Sequence, residues 1–237
     1  MLALVALLAG CGTAPVPPKP AGTERWQAAR KELVSLRERL SPARPYRMNV
    51  TLELQQKSLA ARMRARGAVA VRPPDALRML LLGPGGTTAL DLWVCRDRFR
   101  FAIPAVDLVR RGDASTPAHE LRGLPVAFLR WWFLSPLEGR LLSFVDEAAG
   151  RRYVMRQDDQ VTHLSVVEEG LRVRRVSRGD EESLVSDGRA CGKVRYQQKS
   201  TGIELEVQCE ELDDDTAPPE RAFADPDDAS RMCGERP

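Results

Sequence analysis

Histidine is nearly absent from this chain of 237 residues, and aromatic residues make up only 5% of it. Its two histidines are His119 and His163, and neither has a second histidine at the spacing of a zinc-binding helix. The sequence also lacks a Gly-x-Ser-x-Gly nucleophile motif and a phosphate-binding loop. The acidic pairs Asp158-Asp159 and Glu181-Glu182 lie in segments typical of solvated turns. The sequence therefore predicts no metal, no cofactor and no enzymatic activity.

No hydrophobic run approaches the length of about 20 residues that a transmembrane helix needs. An apolar run at residues 2–9 instead has the length of the apolar region of a signal peptide. It ends in Leu8-Ala9-Gly10-Cys11, which resembles the lipobox of bacterial lipoproteins, where small residues precede an acylated cysteine. The alternative is a short buried helix with an ordinary cysteine, which the polar, proline-rich residues 12–22 disfavour. We therefore expect cleavage before Cys11 and a lipid anchor on that residue.

Composition divides the chain into four parts. Four prolines between residues 12 and 22 favour an extended spacer, and 43% hydrophobic residues suffice for a core in the remainder. The predicted parts are a signal peptide (1–10), a lipidated cysteine with a spacer (11–22), one folded domain (23–211) and an acidic tail (212–237).

Charge is unevenly spread along the chain. The net charge is +3, but residues 212–237 hold eight acidic residues and three arginines. This tail is predicted to be disordered, and it leaves an excess of positive charge on the rest of the chain. The basic part of the chain could bind anionic lipid headgroups or an acidic partner. The simpler alternative is that its arginines form a solvated surface. We expect no nucleic-acid partner.

Four cysteines besides Cys11 remain for disulfides, and they allow three pairings. They are Cys95, Cys191, Cys209 and Cys233. Strand alternation places Cys209 on the same face as Val207, whereas Cys191 falls on the face opposite Val194. This argues against a bridge between Cys191 and Cys209 unless a bulge intervenes, so the pairing stays open.

The hydrophobic pattern predicts two helices and a long antiparallel meander. The first helix has one apolar stripe: Trp26, Ala29, Leu33, Leu36 and Leu40. A second helix is predicted at 121–134. Alternating segments predict strands at 48–54, 59–71, 77–82, 90–94, 99–103, 140–145, 153–156, 161–167, 171–176, 191–198 and 203–209.

Three segments within this pattern resemble a known family. They are a strand ending in a Gly-Pro-Gly-Gly turn (77–86), two paired strands (90–101) and a helix that begins at Leu124-Pro125 and carries tryptophans (123–132). They are similar to the LolA/LolB-like superfamily of outer-membrane lipoprotein receptors. The resemblance implies an α+β, mostly β fold, in which a strongly curved antiparallel sheet forms a half-barrel around the N-terminal and mid-domain helices. It also implies an apolar cavity on the concave side that takes the acyl chains of lipids or lipoproteins.

The residues expected to line that cavity lie on three alternating strand faces and on the second helix. They are Val50, Leu52, Leu54, Leu90, Leu92, Val94, Phe99, Phe101, Ile103, Trp131 and Trp132. The first hypothesis is a lipid-anchored envelope protein, on the outer membrane facing the periplasm, that binds lipid or an acylated protein in this cavity and could act in lipid or lipoprotein transfer. The alternative, favoured by the low aromatic content, is a non-catalytic lipoprotein with a filled cavity that binds an envelope protein or acts as a scaffold.

Overall fold

A computed structural model of the protein describes residues 22–56, 61–113, 115–117, 120–121 and 123–234. The helices are α1 (Thr23–Leu40) and α2 (Val126–Leu134). The strands are β1 (Tyr46–Gln56), β2 (Ala61–Arg72), β3 (Ala76–Leu82), β4 (Thr88–Cys95), β5 (Arg98–Ile103), β6 (Leu108–Gly112), β7 (Arg140–Glu147), β8 (Gly150–Gln157), β9 (Gln160–Val167), β10 (Gly170–Ser177), β11 (Asp180–Ser186), β12 (Lys193–Gln198) and β13 (Ile203–Asp213). The predicted signal peptide and Cys11 lie outside the described residues and stay predictions.

All 13 strands form one antiparallel sheet in the order β6-β5-β4-β3-β2-β1-β13-β12-β11-β10-β9-β8-β7. Two meanders, β1–β6 and β7–β13, are joined edge to edge by the pairing of β1 with β13. β6 and β7 are the free edges, so the curved sheet does not close. The predicted α+β, mostly β half-barrel is confirmed.

Strand alternation decides which side of the sheet is buried, because successive side chains point to opposite faces. Leu52 of β1 pairs with Val207 of β13, and both face the concave side and are at most 3% exposed. The apolar stripe of α1 packs into the same core through Ala29, Leu33 and the residues that follow at helical spacing. Among the described residues, neither helix is long and apolar enough to span a membrane.

Two strands are present where the sequence predicted none, β6 and β11. β11 has the sequence Asp-Glu-Glu-Ser-Leu-Val-Ser, and its charges led to the interpretation of Glu181-Glu182 as a turn. That interpretation is wrong, because Glu182 and Leu184 share the inward face of a paired strand. The mid-domain helix is also shorter than expected and begins at Val126, after Pro125.

The carboxy-terminal segment, residues 214–234, folds back onto the convex face of the sheet, and we call it the strap. The prediction of disorder is therefore wrong for these residues. Phe223 is 1% exposed, and its carbonyl accepts a hydrogen bond from Nε1 of Trp93 in β4 (3.0 Å). Together with Cys95 and Cys233, these side chains form a second, smaller core outside the half-barrel. Acidic residues hold the strap through ion pairs with the arginines of β5 and β6.

Two disulfides join the four cysteines, Cys95 with Cys233 and Cys191 with Cys209. The argument against the second pair was wrong, because Cys191 precedes β12, which begins at Lys193, and alternation does not fix its side chain. The Gly192 carbonyl accepts a hydrogen bond from the Cys209 amide (2.9 Å), which brings the two cysteine backbones together.

Candidate functional site

The eleven residues predicted to line a cavity come together on the concave side of the sheet and on α2. Nine are at most 8% exposed: Val50, Leu52, Leu90, Leu92, Val94, Phe99, Phe101, Trp131 and Trp132. The other two, Leu54 and Ile103, are half-buried and pack against the same hydrophobic cluster. We call the concave apolar surface of β1–β5 and β13 the trough. Its role in binding acyl chains stays a prediction.

The helix α2 fills the trough. Seven of its nine residues are buried: Val126, Phe128, Leu129, Trp131, Trp132, Phe133 and Leu134. The ring of Phe128 stacks on Tyr196 of β12 with 4.1 Å between ring centroids. Because both sheet and helix contribute apolar side chains, the trough in this conformation is a packed core.

A buried polar cluster borders the trough at β9–β12. The guanidinium of Arg175 in β10 is 4.4 Å from the ring centroid of Trp131, and it forms an ion pair with Glu182 of β11 (2.9 Å). Its Nε also donates to Oε1 of Gln160 (2.9 Å), and the hydroxyl of Tyr196 donates to Glu182 (2.9 Å). The two partners of the ion pair are 10% and 12% exposed, so this is the most deeply buried ion pair on the concave side of the described chain.

Burial changes the proton affinities of this cluster. Burial lowers the pKa of the Arg175 guanidinium, and the negative charge of Glu182 opposes that change. Burial, reinforced by Glu182, raises the pKa of the Tyr196 hydroxyl far above its ordinary range. Arg175 stays charged because a guanidinium is not deprotonated in proteins, and the raised pKa keeps the Tyr196 hydroxyl a hydrogen-bond donor at neutral pH.

Sequence analysis missed this cluster, although a signal was present. Leu171, Val173 and Arg175 alternate on one face of β10, so the arginine interrupts an otherwise apolar inward face. An arginine in such a position needs a partner, and the partner, Glu182, lies in the strand that was also missed.

A cleft of about 440 Å³ opens beside this cluster, where the turns after β8, β10 and β12 meet the start of α2. Leu124 and Ala127 supply an apolar side, whereas Gln160, Asp180 and Gln198 supply polar groups. The cleft gives solvent access to the start of α2 and to Arg175.

The described residues contain no group of three or more histidine, cysteine or carboxylate side chains that could hold a metal ion. His163 lies in β9 opposite Arg174 of β10, and His119 lies outside the described residues. The features of the structure that stand out are therefore the packed trough, the buried ion pair and the cleft.

The sequence matches no model of a known protein family, and no curated protein matches it. Solved structures share its architecture. A LolA superfamily protein from Nitrosomonas europaea has a TM-score of 0.51 and 9% identity, over 82% of this chain and 97% of that one. A domain from Vibrio parahaemolyticus that is named for outer-membrane lipoprotein sorting has a TM-score of 0.54 and 17% identity, over the same shares of the two chains.

These identities are too low to carry over binding properties, but the coverage extends across nearly the whole of both related chains. The protein has the fold of the LolA superfamily.

Proposed function

We propose that this protein is an envelope lipoprotein, anchored through Cys11 on the outer membrane, whose trough binds the acyl chains of lipids or lipoproteins. The observation that carries the proposal is the occupation of the trough by one short apolar helix, α2. The fold is shared with a domain named for outer-membrane lipoprotein sorting, which supports the proposal.

The physical basis of the proposal is that an acyl chain replaces the apolar side chains of α2 in the trough. An acyl chain has no polar group to recognise, and each buried methylene contributes about 0.8 kcal/mol. A nine-residue helix is too short to be stable alone, since isolated helices below about 12 residues are marginal in water. The helix α2 therefore depends on the trough, and an acyl chain could take its place when α2 moves aside.

Tryptophans on the two faces of the sheet provide a direct test. Trp131 and Trp132 lie in the trough, whereas Trp93 lies on the convex face under the strap. Both variants carry Trp26→Phe, which removes the tryptophan of α1. In that background we expect a brominated fatty acid to quench tryptophan emission strongly in a Trp93→Phe variant. Quenching should fall several-fold in a Trp131→Phe/Trp132→Phe variant, which keeps only Trp93.

Equal quenching in the two variants would place the acyl chain outside the trough and overturn this proposal. So would the absence of any quenching together with the absence of lipid in organic extracts of protein purified from membranes. Thermal unfolding of each variant provides the control for folding.

The anchor has its own test, because residues 1–21 lie outside the described structure. We expect the intact mass of membrane-purified protein to correspond to a chain that starts at Cys11 and carries a diacylglyceryl group. A Cys11→Ala variant should lack that mass and be released from the membrane fraction by a high-salt wash, which the lipidated chain resists. The two disulfides support an oxidising compartment such as the periplasm.

A second candidate function is protein binding by a permanently filled half-barrel, and the tight packing of α2 favours it. The acidic strap is a poor docking element for a partner, because Asp225 and Asp227 already pair with arginines of the sheet. Retained trough packing in the presence of excess acyl chains, seen as unchanged Trp131 and Trp132 emission, would favour this candidate.

A further inference from the structure

A groove of about 560 Å³ runs between α1 and the free edge strand β7. Its lining combines apolar and basic side chains, chiefly Trp26, Leu33 and Leu141 with Arg30, Arg37 and Arg140. It lies on the side of the protein where the described chain begins, since α1 starts at Thr23. The groove is separate from the trough, which lies under α2.

The positive charge along this groove is only partly neutralised. Arg30 and Arg140 are exposed, and neither forms an ion pair within the described chain. Arg37 donates to the carbonyl oxygens of Leu137 (2.8 Å) and Gly139 (2.9 Å), which orient it but do not cancel its charge. The neighbouring charges are paired: Arg25 with Asp146, and Arg151 with Asp146 and Glu32.

Exposed apolar side chains border the same groove. Val34 of α1 is 48% exposed, and Leu142 of β7 is 40% exposed. The half-buried Trp26 packs against Phe144 of β7 with ring centroids 6.0 Å apart. Arginine, tryptophan and aliphatic side chains side by side are the combination that favours the interfacial region of a lipid bilayer.

Another peptide strand is a poor occupant for this edge. The register of β7 with β8 shifts between Leu141 and Ser143, so Leu142 is an extra residue without a partner. Such bulges bend an edge strand and block regular pairing with an incoming strand. A lipid headgroup surface can contact this edge without forming backbone hydrogen bonds in a fixed strand register.

We infer that the face formed by α1 and β7 docks onto an anionic membrane surface. Arg30 and Arg140 contact lipid phosphates, and Val34 and Leu142 enter the headgroup region. Docking turns the lipid-anchored domain so that its first helix lies along the bilayer. This inference does not depend on acyl binding in the trough.

The test uses the full chain with Cys11→Ala, so that no covalent lipid dominates binding, and vesicles with or without phosphatidylglycerol. We expect Arg30→Gln/Arg140→Gln to weaken binding to the anionic vesicles by about fivefold for each arginine. The matched control is Arg66→Gln/Arg189→Gln, which removes the same charge from exposed, unpaired arginines elsewhere on the described surface. The control should bind nearly as well as the parent chain.

Brominated phosphatidylglycerol adds a positional readout, because Trp26 lies in the groove. Measured in the Trp131→Phe/Trp132→Phe background, so that acyl chains in the trough give no signal, its emission should be quenched on binding. Trp26→Phe should then remove that quenching. Equal losses in the two double variants, or no preference for anionic vesicles, would overturn the inference. It would also fail if Arg30→Gln/Arg140→Gln changed only the oligomeric state, since the face would then join two copies of the chain.

Discussion

At the scale of single residues, the ion pair of Arg175 and Glu182 is the group in the concave core whose burial costs the most desolvation free energy. Removing two charges from water costs several kcal/mol for each ion, and only mutual attraction and added hydrogen bonds offset that loss. Here Gln160, Tyr196 and the ring of Trp131 complete the surroundings of the pair. The contact of Arg175 with Trp131 also connects β10 to α2.

Breaking this pair on one side should be far more damaging than replacing both partners. We expect Arg175→Met to lower the free energy of unfolding by about 3–5 kcal/mol, because the Glu182 carboxylate stays buried without its cation. The double variant Arg175→Met/Glu182→Leu should lose clearly less. Urea unfolding of the single and double variants measures the coupling.

The exposed pair of Arg195 and Glu206 on the convex face is the control, with Arg195 67% exposed. Arg195→Met should cost less than about 1 kcal/mol. A loss in Arg175→Met no larger than in Arg195→Met would show that the buried pair is not needed for stability.

At the scale of elements, the strap is held to the sheet by a combination of burial and charge. Arg111 of β6 donates two hydrogen bonds to Asp225, through Nη2 (2.6 Å) and Nη1 (3.2 Å). The side chain of Asp225 is only 6% exposed. This contact also ties down β6, a free edge of the sheet.

The contact makes the attachment of the strap sensitive to acid. Hydrogen bonds from Arg111 lower the pKa of Asp225 in the folded protein below its value of about 3.9 in an unfolded chain. A lowered folded pKa means that the contribution of Asp225 is complete above the unfolded value and is lost as the pH falls through the folded one. We expect acrylamide quenching of Trp93 to increase in that acidic range.

An Asp225→Asn variant provides the comparison. It cannot ionise, so most of the acid-induced increase in Trp93 quenching should disappear and accessibility should be higher at neutral pH. The Trp93 signal is isolated by subtracting a Trp93→Phe variant. An unchanged acid transition in Asp225→Asn would assign the sensitivity to other carboxylates.

At the scale of the whole molecule, two disulfides close loops of very different size. Cys95–Cys233 spans 138 residues and binds the strap to β4, whereas Cys191–Cys209 spans 18 residues within one region of the sheet. A crosslink restricts the unfolded chain more when its loop is longer. The longer bridge should therefore dominate the global contribution of the disulfides.

We expect Cys95→Ala/Cys233→Ala to lower the free energy of unfolding by about 5 kcal/mol, and Cys191→Ala/Cys209→Ala by about 3 kcal/mol, from loop closure alone. Guanidinium unfolding without reductant measures both values. A larger loss from the shorter bridge would mean that local packing, and not loop closure, decides their contributions.

Local hydrophobic periodicity in the sequence determined which residues of individual strands and of α1 are buried. Alternation in Val50, Leu52 and Leu54, and the helical stripe of α1, assigned residues to the concave core, because each period is set by the backbone of a single element. The same patterns placed the eleven predicted residues in one hydrophobic cluster on the concave side of the sheet and on α2. The half-barrel was implied by the resemblance to the LolA/LolB-like superfamily. Cys11 and the spacer stay predictions from sequence.

Only the tertiary structure decided how distant segments meet. The sequence predicted a solvated turn at Glu182, but in the structure Glu182 pairs with Arg175 of the neighbouring strand. The sequence also predicted a disordered acidic tail, but Asp225 of the strap pairs with Arg111. The partner of Cys191 likewise depended on where β12 begins. The packing position of α2 decided that the trough is filled. A charge or a cysteine is stabilised by partners on another strand or on the strap, and hydrophobic periodicity within one element carries no information about them.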